Sequence, residues 1–390
     1  MKSLAALVLA LGLTSFNTSN SILPEKHKPS VKETKVKETK EIVKKISWED
    51  YLSKKTYLKN REEKLLSKKY FSQTKKNIDS KDIPVLMFHK IGPVSKRYEM
   101  TPSEFRVILD VLHKHEYYAL NLEQFVSGNF SKVPVGKKPF LITFDDATKG
   151  QFDYIKGTNI IDPNCAVGIM DEYFSKYKDF GRGAVFYINY FGVDKEYIVP
   201  FRDDKTIKEK MTYLLNDGFN IGSHTPYHTN NRHSTEKAVK EQMMIMDALL
   251  QYHTEQNMDT KIKTYAHPYG AIPRNPLVEK DIENHYVCVM DAIGGLSKHP
   301  LNVVFNPESV PRIESDLKNL NYFFNKKKQY VVTKKDHEFY EKVFNEAPIK
   351  VVPRPIELLP NIVAKKDAID IYSKRLSLKK NKNLYVNALE

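Results

Sequence analysis

Short runs of apolar residues alternate along the middle of this chain with longer stretches in which apolar positions recur every three or four residues. Residues 139–144, Pro-Phe-Leu-Ile-Thr-Phe, are such a run, broken only by the β-branched Thr143. A run of this length with no polar alternation predicts a strand buried on both faces, as in a parallel sheet. Comparable runs predict strands at 84–89, 118–122, 184–189, 219–223, 263–265, 285–290 and 309–313. Thr101-Pro102-Ser103-Glu104 has the form of a capping box with proline at the first helical position, and Phe105, Ile108, Leu109 and Leu112 then follow on one helical face. Further helices are expected over 122–126, 166–177, 206–216 and 235–252, the third carrying Ile207, Met211, Leu214 and Leu215 on one side. Strands alternating with helices imply an α/β domain built on a parallel sheet, open or closed.

The ends of the chain lack this pattern. Residues 1–20 open with Lys2, continue with an apolar run from Leu4 to Leu13 and pass into Ser, Thr and Asn, the layout of a signal peptide or, if uncleaved, an N-terminal anchor. The run is too short to cross ~30 Å of hydrocarbon as a helix. Residues 21–82 are rich in Lys, Glu, Ser and Thr, with Val-Lys-Glu-Thr-Lys at 31–35 and again at 36–40, and read as a solvated linker. Within it Trp48, Tyr51, Leu52, Tyr57 and Leu58 suit one short docking helix. The folded domain is expected over 83–320, followed by a C-terminal extension, 321–390, of unassigned role.

With 390 residues, 41% of them hydrophobic, the chain has material for one enzyme-sized core plus appendages. Its formal charge of +14 is not spread evenly. Residues 23–82 hold 18 Lys/Arg against 10 Asp/Glu, and 321–390 hold 15 against 8, while 83–320 hold 28 against 30. Basicity confined to the flanks suits attachment to an anionic envelope polymer rather than nucleic-acid readout, for which no arginine-aromatic pattern is present. Cys165 and Cys288 read as buried free thiols. An exported protein is expected, placed in the periplasm, at the cell surface or in the medium, with no membrane-spanning segment beyond the N-terminal one.

The run at 139–144 ends in two carboxylates, Asp145 and Asp146. Ligands and catalysis sit at the carboxyl ends of parallel strands. Successive strand residues point opposite ways, so one aspartate can bind a cation while its neighbour stays free as a base. His224 and His228 follow the strand at 219–223, and a helical turn beginning at Pro226 would put both imidazoles on one face. Two His and a carboxylate, with positions left open for water, match a catalytic zinc site.

Thr143-Phe-Asp-Asp, His224-Thr-x-x-His228 and Ala266-His-Pro-Tyr-Gly270 resemble, in order and spacing, three motifs of the polysaccharide deacetylase family, carbohydrate esterase family 4 with its NodB-homology domain. Val85-Leu-Met-Phe-His-Lys-Ile91 is similar to the first strand of its poly-N-acetylglucosamine and peptidoglycan deacetylase branches. Phe219-x-Ile-Gly-Ser-His-Thr and Val310-Pro-Arg-Ile313 fit as well, and the resemblance covers about residues 83–315. It implies a distorted (β/α) barrel and a metal-dependent hydrolase that removes N-acetyl groups from a glycan containing N-acetylglucosamine, whether peptidoglycan, poly-N-acetylglucosamine or a chitin-like polymer. Carried over by position, Asp146, His224 and His228 bind one divalent cation, zinc, with cobalt, manganese or nickel as alternatives. Asp145 is then the catalytic base, and the main-chain N–H of Tyr269 the oxyanion donor.

Three departures accompany it. Ala147 stands where the family usually has Gly, and Ala266 where it often has an Arg that orients the base, leaving Arg312 as the substitute. No late Leu-x-His motif supplies a general acid, so His89 and His299 are the candidates for an acid or substrate role. Two other functions fit the same motifs: an O-acetyl esterase acting on xylan-like polymers, and a non-catalytic envelope-binding protein. The complete ligand set and the retained Asp145 argue against the last.

Overall fold

A computed structural model of the chain describes residues 72–191, 199–254, 264–302, 304–325 and 329–345. The signal peptide or anchor, the helix expected around Trp48 to Leu58 and the tail after 345 lie outside the described residues. No helix among the described residues is long and apolar enough to cross a membrane.

The described chain starts with α1 (Ser72–Ser80), β1 (Asp82–Ile83), β2 (Val85–Phe88), β3 (Lys90–Ile91) and β4 (Glu99–Met100). It continues through α2 (Pro102–Lys114), β5 (Tyr117–Leu120), α3 (Leu122–Ser127), β6 (Lys138–Phe144), α4 (Ala166–Lys176) and β7 (Val185–Ile188). Then come α5 (Ile207–Asn216), β8 (Asn220–Ser223), α6 (Glu236–Thr254), β9 (Thr264–Ala266), α7 (Pro276–His285) and β10 (Cys288–Met290). Last are β11 (Ser297–Lys298), β12 (Ile313–Glu314), α8 (Leu317–Asn325) and α9 (Lys334–Asn345).

The strand order is β10-β9-β8-β7-β6-β2-β12, with β5 beside β6 and every neighbour parallel. The sheet curls until its edges meet. Val310 forms a parallel bridge with Met290 of β10, while Ile313 and Glu314 pair with Leu86 and Met87 of β2. The expected distorted (β/α) barrel is therefore present, closed by one short segment late in the chain.

Alternation along β6 sorts the two sides of the wall. Phe140, Ile142 and Phe144 join the large apolar cluster with Phe105, Ile108, Leu109 and Leu112 of α2 and with buried faces of α4, α5 and α6. Leu141 instead shares a cluster with Val185, Tyr187, Cys288, Met290 and Val310, from the other strands. Thr143 and Asp145 continue the phase of Leu141, so a side chain at 145 points into the barrel lumen. The capping box starts α2 as expected: Thr101 Oγ1 accepts from the Glu104 N–H, and the Glu104 carboxylate accepts from the Thr101 N–H.

The sequence pattern placed a strand over 285–290, but the first of those residues ends a helix. Asn275 caps α7, Pro276 is its first residue, and the strand runs only over Cys288–Met290. Likewise, of the run at 309–313, only Ile313 lies in a strand, Val310 making an isolated bridge. At the lower end Tyr330, Val332, Phe339 and Tyr340 pack with Ile78 of α1 and with Phe130 and Val133. Asn77 Nδ2 donates to the Val331 carbonyl and to Asp336, tying α1 to this segment. Both cysteines are free and buried, and burial pushes the Cys288 thiol up to about 12.

Candidate active site

At the carboxyl end of β6 the two aspartates separate. Asp145 is 2% exposed and Arg312, from the closing segment, 1%. Arg312 Nη1 donates to Asp145 Oδ1 at 2.7 Å and Nη2 to Oδ2 at 2.8 Å, a two-pronged grip. The guanidinium is itself fixed, Nη1 donating to Thr143 Oγ1 at 3.1 Å and Nε to the Asp291 carbonyl at 2.6 Å. Burial alone would raise the Asp145 carboxyl, but the charge of Arg312, and then that of His224, hold it well below the usual carboxylate range.

Asp146 would face the helices if the strand continued. Instead the backbone enters the left-handed region at Asp146 (φ 77°) and stays there at Ala147 (φ 45°). The flip swings the Asp146 carboxylate to the two histidines, with Oδ1 3.6 Å from His224 Nε2 and 3.3 Å from His228 Nε2. Asn189, just past β7, donates to the same oxygen at 3.3 Å. A residue at positive φ explains the family's usual Gly here, and the Phe201 N–H, donating to the Ala147 carbonyl at 2.6 Å, braces the turn that Ala makes instead.

His224 Nδ1 lies 2.8 Å from the Ala266 carbonyl, which can only accept, so Nδ1 carries the proton and Nε2 keeps its lone pair. The helical turn expected from Pro226 is absent. Thr225 (φ 56°) and His228 (φ 51°) are both left-handed, and the Phe191 N–H donates to the Pro226 carbonyl at 2.7 Å. A tight non-helical turn, not helical i,i+4 spacing, brings the imidazoles together, with ring centroids 4.8 Å apart.

One ligand atom each from Asp146, His224 and His228 lies within 4.8 Å of the others. Burial lowers His224 to about 4 and His228 to about 3, so both imidazoles are neutral at ordinary pH, as ligation requires. Burial, then the charge of Asp145, pushes Asp146 up to about 7, and a bound cation is what would hold it ionised. One carboxylate and two neutral imidazoles with an open side fit a divalent cation of the zinc type.

Tyr269 sits on the rim in a short 3₁₀ turn at φ 58°, its ring centroid 4.4 Å from that of His228. On the other side, His89 Nε2 is 3.9 Å from Asp145 Oδ2. Burial lowers His89 to about 4. His89 lines a cavity of about 460 Å³ together with Lys90, Arg97, Tyr98, Glu99 and Glu314. His299 is elsewhere: its Nε2 is 3.1 Å from Tyr340 Oη, and its ring lies against Phe130 and Tyr330 beneath the barrel.

Sequence reasoning passed over Asn189, Gln151 and Tyr98. Asn189 could have been found by the rule that singled out His89, a polar residue directly after a buried strand. Gln151, whose amide donates to the His89 carbonyl at 2.7 Å and to the Asp145 carbonyl, carries no local signal.

A scan against protein-family models finds no match, and no curated protein matches either. Among solved structures, the chain is similar to the Streptococcus pyogenes deacetylase PplD in complex with acetate, at 17% identity and a TM-score of 0.44 over 62% of this chain and 97% of that one. It is similar to a polysaccharide deacetylase from Bacillus cereus at 18% identity and a TM-score of 0.44, over 67% of this chain and 68% of that one. IcaB from Ammonifex degensii gives 17% identity and a TM-score of 0.44 over 62% and 97%.

Proposed function

We propose that this chain is a metal-dependent polysaccharide deacetylase of carbohydrate esterase family 4, removing N-acetyl groups from a glycan that contains N-acetylglucosamine. The reading is carried by the division of labour between adjacent carboxylates: Asp145 ionised in the grip of Arg312, Asp146 turned away toward two neutral imidazoles. A divalent cation held by Asp146, His224 and His228 would polarise the acetyl carbonyl and lower the pKa of a water molecule beside it.

The chain's own residues do the rest. Asp145 takes the proton of the attacking water, a transfer typically worth ~10²–10⁴-fold. The main-chain N–H of Tyr269, on the rim beside His228, donates to the oxygen that becomes negative. His89, on the cavity side of the base, passes the collected proton to the amine nitrogen as the C–N bond breaks, so that acetate and a free amino sugar leave. His299 has no part in this. Export belongs to the same proposal and rests on residues 1–20, while the basic flanks suit attachment to an anionic envelope polymer.

The test is acetate release from N-acetylglucosamine oligomers and from peptidoglycan by the full-length protein. Release should stop with chelator and return with added zinc. No release from any of these glycans by zinc-loaded protein would overturn the reading.

A further inference from the structure

A closed circuit of side chains surrounds Asp145. Arg312 and Glu314 are two residues apart, so they lie on one side of the closing segment. Arg312 grips Asp145, and Glu314 Oε1 accepts from Arg97 Nε at 3.2 Å. The Arg97 guanidinium lies 4.6 Å over the Tyr98 ring. The centroid of that ring is 4.6 Å from the His89 imidazole, tilted by 46°. His89 then returns to Asp145 at 3.9 Å, beyond hydrogen-bond reach. Among the described residues no hydrogen bond holds the His89 imidazole, and the cavity behind it gives the ring room to turn away.

Tyr98 is held against a backbone preference. It is left-handed at φ 64°, an uncommon state for an aromatic residue and one that persists only where the surroundings impose it. Its carbonyl accepts from the N–H of Lys90, the neighbour of His89, at 3.0 Å. The residue is 46% exposed, so burial is not what keeps it there.

We propose that Tyr98 is a positioning residue: its ring, braced by the Arg97–Glu314 pair, sets the angle of the His89 imidazole toward Asp145. The value of that angle for proton transfer rests on the deacetylase reading above, whereas the orientation rests on the contacts alone.

The experiment compares Tyr98→Ala and Tyr98→Phe in zinc-loaded full-length protein, each alone and combined with His89→Gln. Acetate release from an N-acetylglucosamine oligomer gives kcat and KM, and NMR of labelled histidine gives the His89 ring resonances, assigned from His89→Gln. Tyr98→Ala should lose about tenfold or more in kcat with KM nearly unchanged, since small misplacement of a reacting group costs up to about 10²-fold. Tyr98→Phe, which keeps the ring, should restore most of the rate. In the His89→Gln background Tyr98→Ala should cost nothing further. The His89 resonances should lose their aromatic ring-current shift in Tyr98→Ala and keep it in Tyr98→Phe. An effect on KM alone, an equal loss in both backgrounds, or unmoved resonances would overturn the proposal. If wild type releases no acetate, the deacetylase reading fails, and the resonances still decide whether Tyr98 orients His89.

Discussion

Asp145 and Asp146 are identical in chemistry and opposite in environment, so substitutions should separate them. Asp145→Asn keeps the shape and loses the proton acceptor: turnover should vanish while zinc content, measured on the purified protein, stays at the wild-type level. Loss of zinc from that variant would mean that the two roles are exchanged. Arg312→Met has a different cost. It leaves Asp145 buried and unpaired, which should destabilise the fold by about 3–5 kcal/mol in chemical denaturation. Adding Asp145→Asn to it should recover part of that loss, because the stranded charge is then gone. Additive losses would show that Arg312 stabilises through Thr143 and Asp291 rather than through the aspartate.

One short element ties the loops around the site together. The 3₁₀ turn Lys149–Gln151 presses so closely on β3 that a Cβ at Gly150 would stand 1.6 Å from the Ile91 carbonyl oxygen. Gln151, next in the chain, bridges the His89 and Asp145 carbonyls. Gly150→Ala should therefore push the turn outward, costing about 1–3 kcal/mol in thermal or chemical unfolding. It should also lower kcat at temperatures where the variant is fully folded. Wild-type turnover in a destabilised variant would show that the bridge is structural only.

The barrel strands and α2 were readable because buried runs and a capping box are local patterns, and Asp145, Asp146 and His224 were readable as polar residues ending such runs, with His228 four positions further on. α7 was missed although Asn275-Pro276 is a start signal, because the apolar residues after Tyr286 drew the whole stretch into one strand. The turn that brings His228 to Asp146 was misread because left-handed Thr225 and His228 flank Pro226, whose carbonyl is held by the N–H groups of Tyr190 and Phe191 just past β7. Arg312 came from the family resemblance, since its partner lies 167 residues earlier and nothing local marks the pair.

For the molecule as a whole, buried histidines dominate the response to acid. Burial lowers His89, His224, His253 and His267 to about 4 and His228 and His299 to about 3. In the unfolded chain each would take up a proton near pH 6.5. Between about 6.5 and 4 the unfolded state thus binds more protons, and stability must fall as pH falls. Asp145, depressed, adds to the loss further down, while Asp146, raised to about 7, opposes it as a single group. The melting temperature of chelator-treated protein should drop steadily from pH 7 to pH 4. A flat profile between 7 and 5 would contradict the burial of these imidazoles.

The segment that closes the barrel also sets an order in time. Asp145, Asp146, His224 and His228 are all synthesised before Arg312, and the gap of 167 residues between Asp145 and its clamp takes roughly 8–33 s at ~5–20 residues per second. Until residues 310–314 arrive, the two edges of the sheet have no strand to join them, and Asp145 has no guanidinium to keep it charged inside the lumen. A growing chain therefore carries Asp146, His224 and His228 well before it carries the guanidinium that grips Asp145. The clamp on Asp145 is thus the last part of the site to exist, and it comes into place only when residues 310–314 settle between β2 and β10.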